Sequence, residues 1–168
     1  MTGRTAIYNA RLLDPASGLD TNGGILIENG LITDIGPTIT KTTAADVKID
    51  AKGKALAPGL IDLRVKTGEP GAENKETLET AGDAAAAGGV TTFIVMPDTD
   101  PVLDSVALVD FIKRRADSVA KVKVHPTGGL TIGLDGAKMS EIGLIKQAGA
   151  AFFTNGDKPV EDAGVLRR

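Results

Sequence analysis

The 168-residue chain has no cysteine and no tryptophan, and only one tyrosine, four phenylalanines and one histidine. Without cysteine, disulfides and thiolate metal sites are excluded. A single histidine cannot build a multi-histidine zinc site. Few aromatics leave little for base stacking, and 19 Lys and Arg are interspersed with 22 Asp and Glu, so no basic stripe marks a nucleic-acid surface. No apolar run approaches membrane-spanning length, and the opening "MTGRTAIYNARLLDP" lacks the apolar core of a signal peptide. The expectation is a soluble cytoplasmic protein with neither nucleic acid nor membrane as partner. What the chain does have is ordinary globular material, 42% hydrophobic and 24% charged, and enough length for one sizeable core.

Its organisation changes near residue 58. Residues 1–57 read as short strands. "TAIYNARLL" is closed by the turn-prone "DPASG", and "GGILIENGLITDIG" holds two β-rich runs around Asn29-Gly30, a dipeptide suited to a two-residue hairpin. "VKIDAKGKALA" reads as a further hairpin turning at Lys52-Gly53.

Residues 58–168 alternate strands with helices. "LIDLRV", "VTTFIVMP", "KVKVHP" and "AAFFTN" are strands. "KETLETAGDAAAA" is a helix entered near Asn74 and stopped at Gly88-Gly89. "DSVALVDFIKRRADSV" is a helix capped by Asp104, with Val106, Val109, Phe111 and Ile112 on its apolar side, and "SEIGLIKQAG" one capped by Ser140. This alternation predicts an α/β fold of parallel βα units. The closing "AGVLRR" opens like another helix, with Val165 and Leu166 lacking a packing partner. A closed eightfold barrel needs roughly 250 residues, so the chain reads as an incomplete fragment, the N-terminal part of a longer protein.

The chemistry concentrates in "PGLIDLRVKTGEPG". Strand alternation puts Asp62, Arg64 and Lys66 on one face, just before a Gly-Pro loop. Charge in that position faces either solvent or a polar cavity. His125, at the end of the third of these strands, has the plain role of a packed or hydrogen-bonding residue, although its place at a strand's C-terminal end, where barrel active sites form, leaves a functional role open. Asp100 in "MPDTDP" reads as turn and helix-entry chemistry, whereas Asp98 admits that reading or a functional one. The run Lys113 to Arg115 reads as a solvated helix face.

The short N-terminal strands, "IDAKGKALAPGLID" and the run "EPGAENKETLETAGDAAAAGGVTTFIVMPDTDPVLD" together resemble the dihydroorotases and related cyclic amidases of the amidohydrolase superfamily. The resemblance implies a small β-sandwich followed by the first four units of a (β/α)8 TIM barrel. It also implies a first barrel strand ending His-x-His-x-Arg-Glu-Pro-Gly, whose histidines hold zinc and whose arginine grips the dihydroorotate carboxylate. Here those positions are Arg64, Lys66 and Gly68, while Glu69, Pro70 and Gly71 are kept. The family's substrate-contacting asparagine is Asp98, and Asn155 and Gly156 stand at the acidic positions of the fourth-strand motif, with Asp157 one place later.

Zinc needs lone-pair donors at about 2.0–2.3 Å. A guanidinium has none, and an ammonium must first lose a proton. No cofactor is therefore expected in this chain, and Arg64 or Lys66 is expected to take the metal's place by pairing with Asp98 or Asp157. Three functions stand. The first is a non-catalytic dihydroorotase homologue that acts as a structural partner of aspartate carbamoyltransferase, in a homo-oligomeric assembly. The second is an active cyclic amidase whose altered metal site is completed by residues beyond 168. The third is an anion-binding barrel cavity clamped by Arg64 and Lys66.

Overall fold

The computed structural model describes residues 3–167. The chain divides into two compact units, Met1–Pro58 and Gly59–Arg168.

The first unit is one five-stranded sheet. β1 (Arg4–Asp14) pairs antiparallel with β2 (Leu19–Glu28), which pairs antiparallel with β3 (Leu31–Gly36). The β2–β3 turn falls on Asn29 and Gly30, with φ of 52° and 81°, as the Asn-Gly dipeptide predicts. Consecutive residues of β2 serve opposite faces. Leu26 packs with Ala6 and Ile39, and Ile25 with Ala10 and Leu12. The pairing slips between Ile7 and Ala10 of β1, where Asn9 has a φ of 57°.

The hairpin expected at Lys52-Gly53 does not form. That turn exists, but β4 (Val47–Asp50) and β5 (Ala55–Leu56) both run parallel to β1, one after the other along its edge. The turn chemistry is local, but the choice of β1 as common partner is not.

In the second unit β6 (Leu60–Val65), β7 (Val90–Val95) and β8 (Lys123–Pro126) form a parallel sheet in sequence order. The chain continues from β8 through Thr127 into β9 (Gly128–Gly129), which pairs in parallel with β10 (Phe153–Thr154). Three of the four expected strands thus share one parallel sheet, and the fourth, β10, pairs in parallel with β9 in a separate ladder. α1 (Leu78–Ala87) and α2 (Val106–Val119) cover one face, burying Leu78, Ala81, Phe93, Val95, Leu103, Ile112, Ala116 and Val124 together. α3 (Ile142–Ala148) packs on α2 through Val109 and Ile145, and the short α4 (Ala163–Leu166) ends the described chain.

Several local expectations are corrected. α1 begins not near Asn74 but at a Thr77 cap, whose side chain accepts from Thr80 N while the Thr80 hydroxyl accepts from Thr77 N. Asp104 does not cap α2; its carboxylate accepts from Gly133 N at 2.8 Å, and Ser105 takes the cap position. Ser140 does not cap α3, because its hydroxyl donates to Gly129 O at 2.6 Å. The buried stripe of α2 is Val109, Ile112 and Ala116, with Val106 and Phe111 partly in solvent. Val165 is buried after all, on a turn capped by Asp162, whereas Leu166 is exposed. Arg168 lies outside the described residues.

Candidate functional site

Three strand ends converge. Arg64 and Lys66 sit at the end of β6, Asp98 follows β7 after the buried Met96-Pro97, and Asp157 follows β10. Strict alternation along β6 is not kept: the pairing with β7 shifts between Asp62 and Val65, and the Asp62 carboxylate accepts from Arg64 N at 2.9 Å. Asp62 lines a recess with Val65, Ala81 and Phe93, on the α1 side, so it does not join Arg64 and Lys66. At the other strand end, Gly156 (φ 64°) turns the backbone and Lys158 N donates to Asn155 O, which delivers the Asp157 side chain to the cluster.

There Arg64 donates to one oxygen of Asp157 and Lys66 to the other, and Lys66 Nζ also lies 2.6 Å from Asp98 Oδ2. Two cations thus meet two carboxylates. The hydrogen bond from Lys66, followed by the Arg64 charge, holds Asp157 below the usual carboxylate range. Asp157 and then Asp98 push the Lys66 ammonium up from its ordinary value. Asp98 is the most enclosed member, with its side chain 27% exposed.

The remaining positions have other duties. Gly68 is closely packed: a Cβ there would stand 2.2 Å from Ala72 O and 2.6 Å from Glu76 O. Asn155 is buried, its Nδ2 donating to Thr131 Oγ1 at 2.8 Å and its Oδ1 accepting from Thr131 N at 3.0 Å. It faces Thr131 and does not meet the charge cluster. Glu69 is buried too; one carboxylate oxygen accepts from Arg115 Nε at 2.6 Å and the other from Leu78 N at 2.8 Å. The loop after β6 is thereby tied to the start of α1 and to α2. His125 is not packed as expected: strand alternation turns it outward, and it is exposed on β8, opposite Ile94 in the register. Asp100 lies ahead of α2 and is not its cap. With Lys66, Gly68, Lys75, Glu76 and Asp98 it lines an open cavity of about 580 Å³.

Sequence reasoning misread the Lys113 to Arg115 run as a solvated face. Lys113 donates to Ala148 O at 2.9 Å, Arg115 pairs with Glu69, and only Arg114 makes the local pair, with Asp110. Thr131 was missed as well. No local signal marks either contact, since Arg115 and Glu69 lie 46 residues apart and Thr131 and Asn155 lie 24 apart.

The donor chemistry does not fit a zinc ion held at this strand end. The two positions that the resemblance gives to metal ligands present a guanidinium and an ammonium, both donating to nearby carboxylates and neither offering a lone pair. Among the described residues, no group of three or more His, Cys, Asp or Glu is placed to hold a metal. Nor is any helix among them long and apolar enough to cross a membrane.

The succession of parallel strands and covering helices is that of the opening part of an amidohydrolase-type barrel. Over 96% of its length the chain superposes on an L-hydantoinase (dihydropyrimidinase) from Arthrobacter aurescens, at a TM-score of 0.81 and 29% identity, covering 36% of that chain. A D-hydantoinase (dihydropyrimidinase) from Thermus sp. gives 0.60 and 25% identity over 76% of this chain and 28% of its own. Residues 53–167 match the family described as Dihydro-orotase-like, and the chain belongs to that family. It is 43% identical to a dihydroorotase of Syntrophotalea carbinolica over 96% of its length, and 41% identical to one of a Drosophila simulans Wolbachia over 98%. The chain spans 38% and 37% of the lengths of those two relatives.

Proposed function

We propose that this chain is a dihydroorotase-like protein of pyrimidine biosynthesis that does not hydrolyse dihydroorotate and serves as a structural partner of aspartate carbamoyltransferase, within a homo-oligomeric assembly in the cytoplasm. The observation that carries the reading is the charge cluster. Arg64 and Lys66 stand where the resemblance implies metal ligands, and both are committed to Asp157, with Lys66 also on Asp98. A hydrolase of this type relies on a metal to lower the pKa of water and polarise the amide carbonyl. Here the positions that would hold it carry positive charge. Carboxylate recognition is weakened as well, because Gly68 brings no guanidinium and Asp98 brings an anion toward any anionic substrate.

Charge balance bears on the anion-clamp reading. Arg64 and Lys66 are balanced by Asp157 and Asp98, so the cluster carries no net positive charge to draw a phosphate or carboxylate from solution. The active-enzyme reading needs an altered metal site completed by residues beyond 168; the likeness to proteins named dihydroorotase supports it, and the cations at positions 64 and 66 weigh against it. The experiment is turnover together with association. Purified protein should show no conversion between dihydroorotate and carbamoyl aspartate, and it should co-elute with the carbamoyltransferase on size exclusion. Turnover at rates ordinary for enzymes overturns the non-catalytic reading; separate elution at micromolar concentrations overturns the partnership.

A further inference from the structure

An asparagine followed by glycine is exposed to attack by its own backbone, because glycine has no Cβ to keep the next amide nitrogen away from the carboxamide. The chain has three such pairs, Asn22-Gly23, Asn29-Gly30 and Asn155-Gly156. The fold holds them in different ways. Asn155 is buried with both ends of its carboxamide engaged, Nδ2 donating to Thr131 Oγ1 at 2.8 Å and Oδ1 accepting from Thr131 N at 3.0 Å. Its attacking nitrogen is engaged too, since Gly156 N donates to Thr154 Oγ1 at 3.1 Å. Asn22 and Gly23 lie within β2, opposite Arg11 and Ala10 of β1. A Cβ on Gly23 would stand 2.5 Å from Gly36 O, so that backbone has no room to swing unless the ladder opens. Asn29 and Gly30 are the turn between β2 and β3, and both are exposed. A Cβ on Gly30 would meet nothing within 4 Å, and among the described residues the Gly30 amide donates no backbone hydrogen bond. The turn leads into the exposed Leu31 and Ile32, so opening it disturbs no core.

We infer that Asn29 is a site of spontaneous covalent modification, converted to aspartate and isoaspartate in the folded chain, while the fold shields Asn22 and Asn155. Gly30 N gives its proton to water or hydroxide and attacks Asn29 Cγ. The new N–Cγ bond closes a succinimide as the Cγ–Nδ2 bond breaks, and Nδ2 leaves as ammonia with a proton from water. Water then opens the ring. Breaking the new N–Cγ bond gives aspartate. Breaking the original bond between Asn29 C and Gly30 N gives isoaspartate, with the chain running through the side chain. Water is the only co-reactant, and the carboxylate formed adds one negative charge to the formal −3. Isoaspartate also puts a methylene into the main chain of a turn whose match to strand twist needs positive φ at both residues, here 52° and 81°. The Glu28–Leu31 end of the β2–β3 ladder is thereby loosened. None of this depends on whether the strand-end site is catalytic.

The test incubates the whole chain in mildly alkaline buffer and follows the three asparagines by peptide mapping and mass spectrometry, with enzymatic carboxyl methylation to mark isoaspartate. In the folded protein Asn29 should react at least about tenfold faster than Asn155, whose hydrogen bonds must break first, and than Asn22, whose ladder must open. In urea the three rates should converge, because each pair is then an unstructured Asn-Gly. Thr131→Val removes the acceptor of Asn155 Nδ2 and should speed reaction at Asn155 while leaving Asn29 unchanged. The comparison between folded and urea-unfolded wild type needs no variant to fold. Comparable rates at the three sites in the folded protein overturn the inference. So does a gap that persists in urea, which would assign the difference to neighbouring sequence and not to the fold.

Discussion

Arg115→Ala should destabilise the protein although Arg115 lies far in sequence from the strand-end cluster. Its guanidinium donates to Glu69, a carboxylate whose side chain is only 5% exposed, and Arg115 itself is 39% exposed. Truncation leaves Glu69 with one of its two partners, the Leu78 amide at 2.8 Å. Breaking a fully buried pair from one side costs about 3–5 kcal/mol. Water reaching the space vacated by the half-exposed Arg115 lowers this to about 2–3 kcal/mol. For a unit of this size, that corresponds to a fall in Tm of roughly 6–12 °C. The assay is urea denaturation of the whole chain, run as a cycle with Glu69→Leu and the double variant Glu69→Leu/Arg115→Met. The apolar double variant removes both charges, so it should be less destabilised than the sum of the single variants by at least about 1 kcal/mol. Hydrogen exchange at Leu78 N should also accelerate in Glu69→Leu, since that amide loses its acceptor at the start of α1. An Arg115→Ala change within about 0.5 kcal/mol of wild type, or simple additivity across the cycle, would refute the argument.

Three further outcomes are expected. Gly68→Arg should not restore carboxylate recognition, because its Cβ meets Ala72 O and Glu76 O; the strain should cost about 1–3 kcal/mol in denaturant titrations, with no gain in dihydroorotate affinity by calorimetry. Asn155→Ala leaves Thr131 N without its buried acceptor and should cost about 1–3 kcal/mol by the same titration. The cluster contributes to the pH dependence of Tm. Asp157 is lowered, so its contribution is present above the unfolded carboxylate value of about 4 and is lost as pH falls through the folded value. Lys66 is raised, so its contribution is present below about 10.4 and is lost as pH rises through the folded value. Asp157→Asn should flatten the acid limb, and an unchanged limb would count against the pairing.

Much of the fold was legible because its signals are local. Asn29-Gly30 sets a turn by its own backbone preference, and the glycines after α1 and α3 stop those helices wherever they pack. The strand order β6-β7-β8 follows from alternation with helices. What sequence could not give was the choice of distant partners. Asp104 and Ser140 have the right chemistry for caps, but Gly133 N and Gly129 O claim them instead. β4 and β5 carry a good turn between them, yet β1 offers each a parallel edge. The same holds at the site. Opposite charges at Arg64, Lys66, Asp98 and Asp157 could be read as a set once the resemblance aligned the strand ends. Glu69–Arg115 and Asn155–Thr131 had no pattern to announce them.

The central claim is that positive side chains occupy the place of the metal. It is tested most directly by the zinc content of the purified wild-type chain after saturation with zinc and desalting, measured by mass spectrometry. The account predicts zinc well below one ion per chain, unchanged in Asp98→Asn and Asp157→Asn. Stoichiometric zinc that falls when Asp98 or Asp157 is replaced would contradict it.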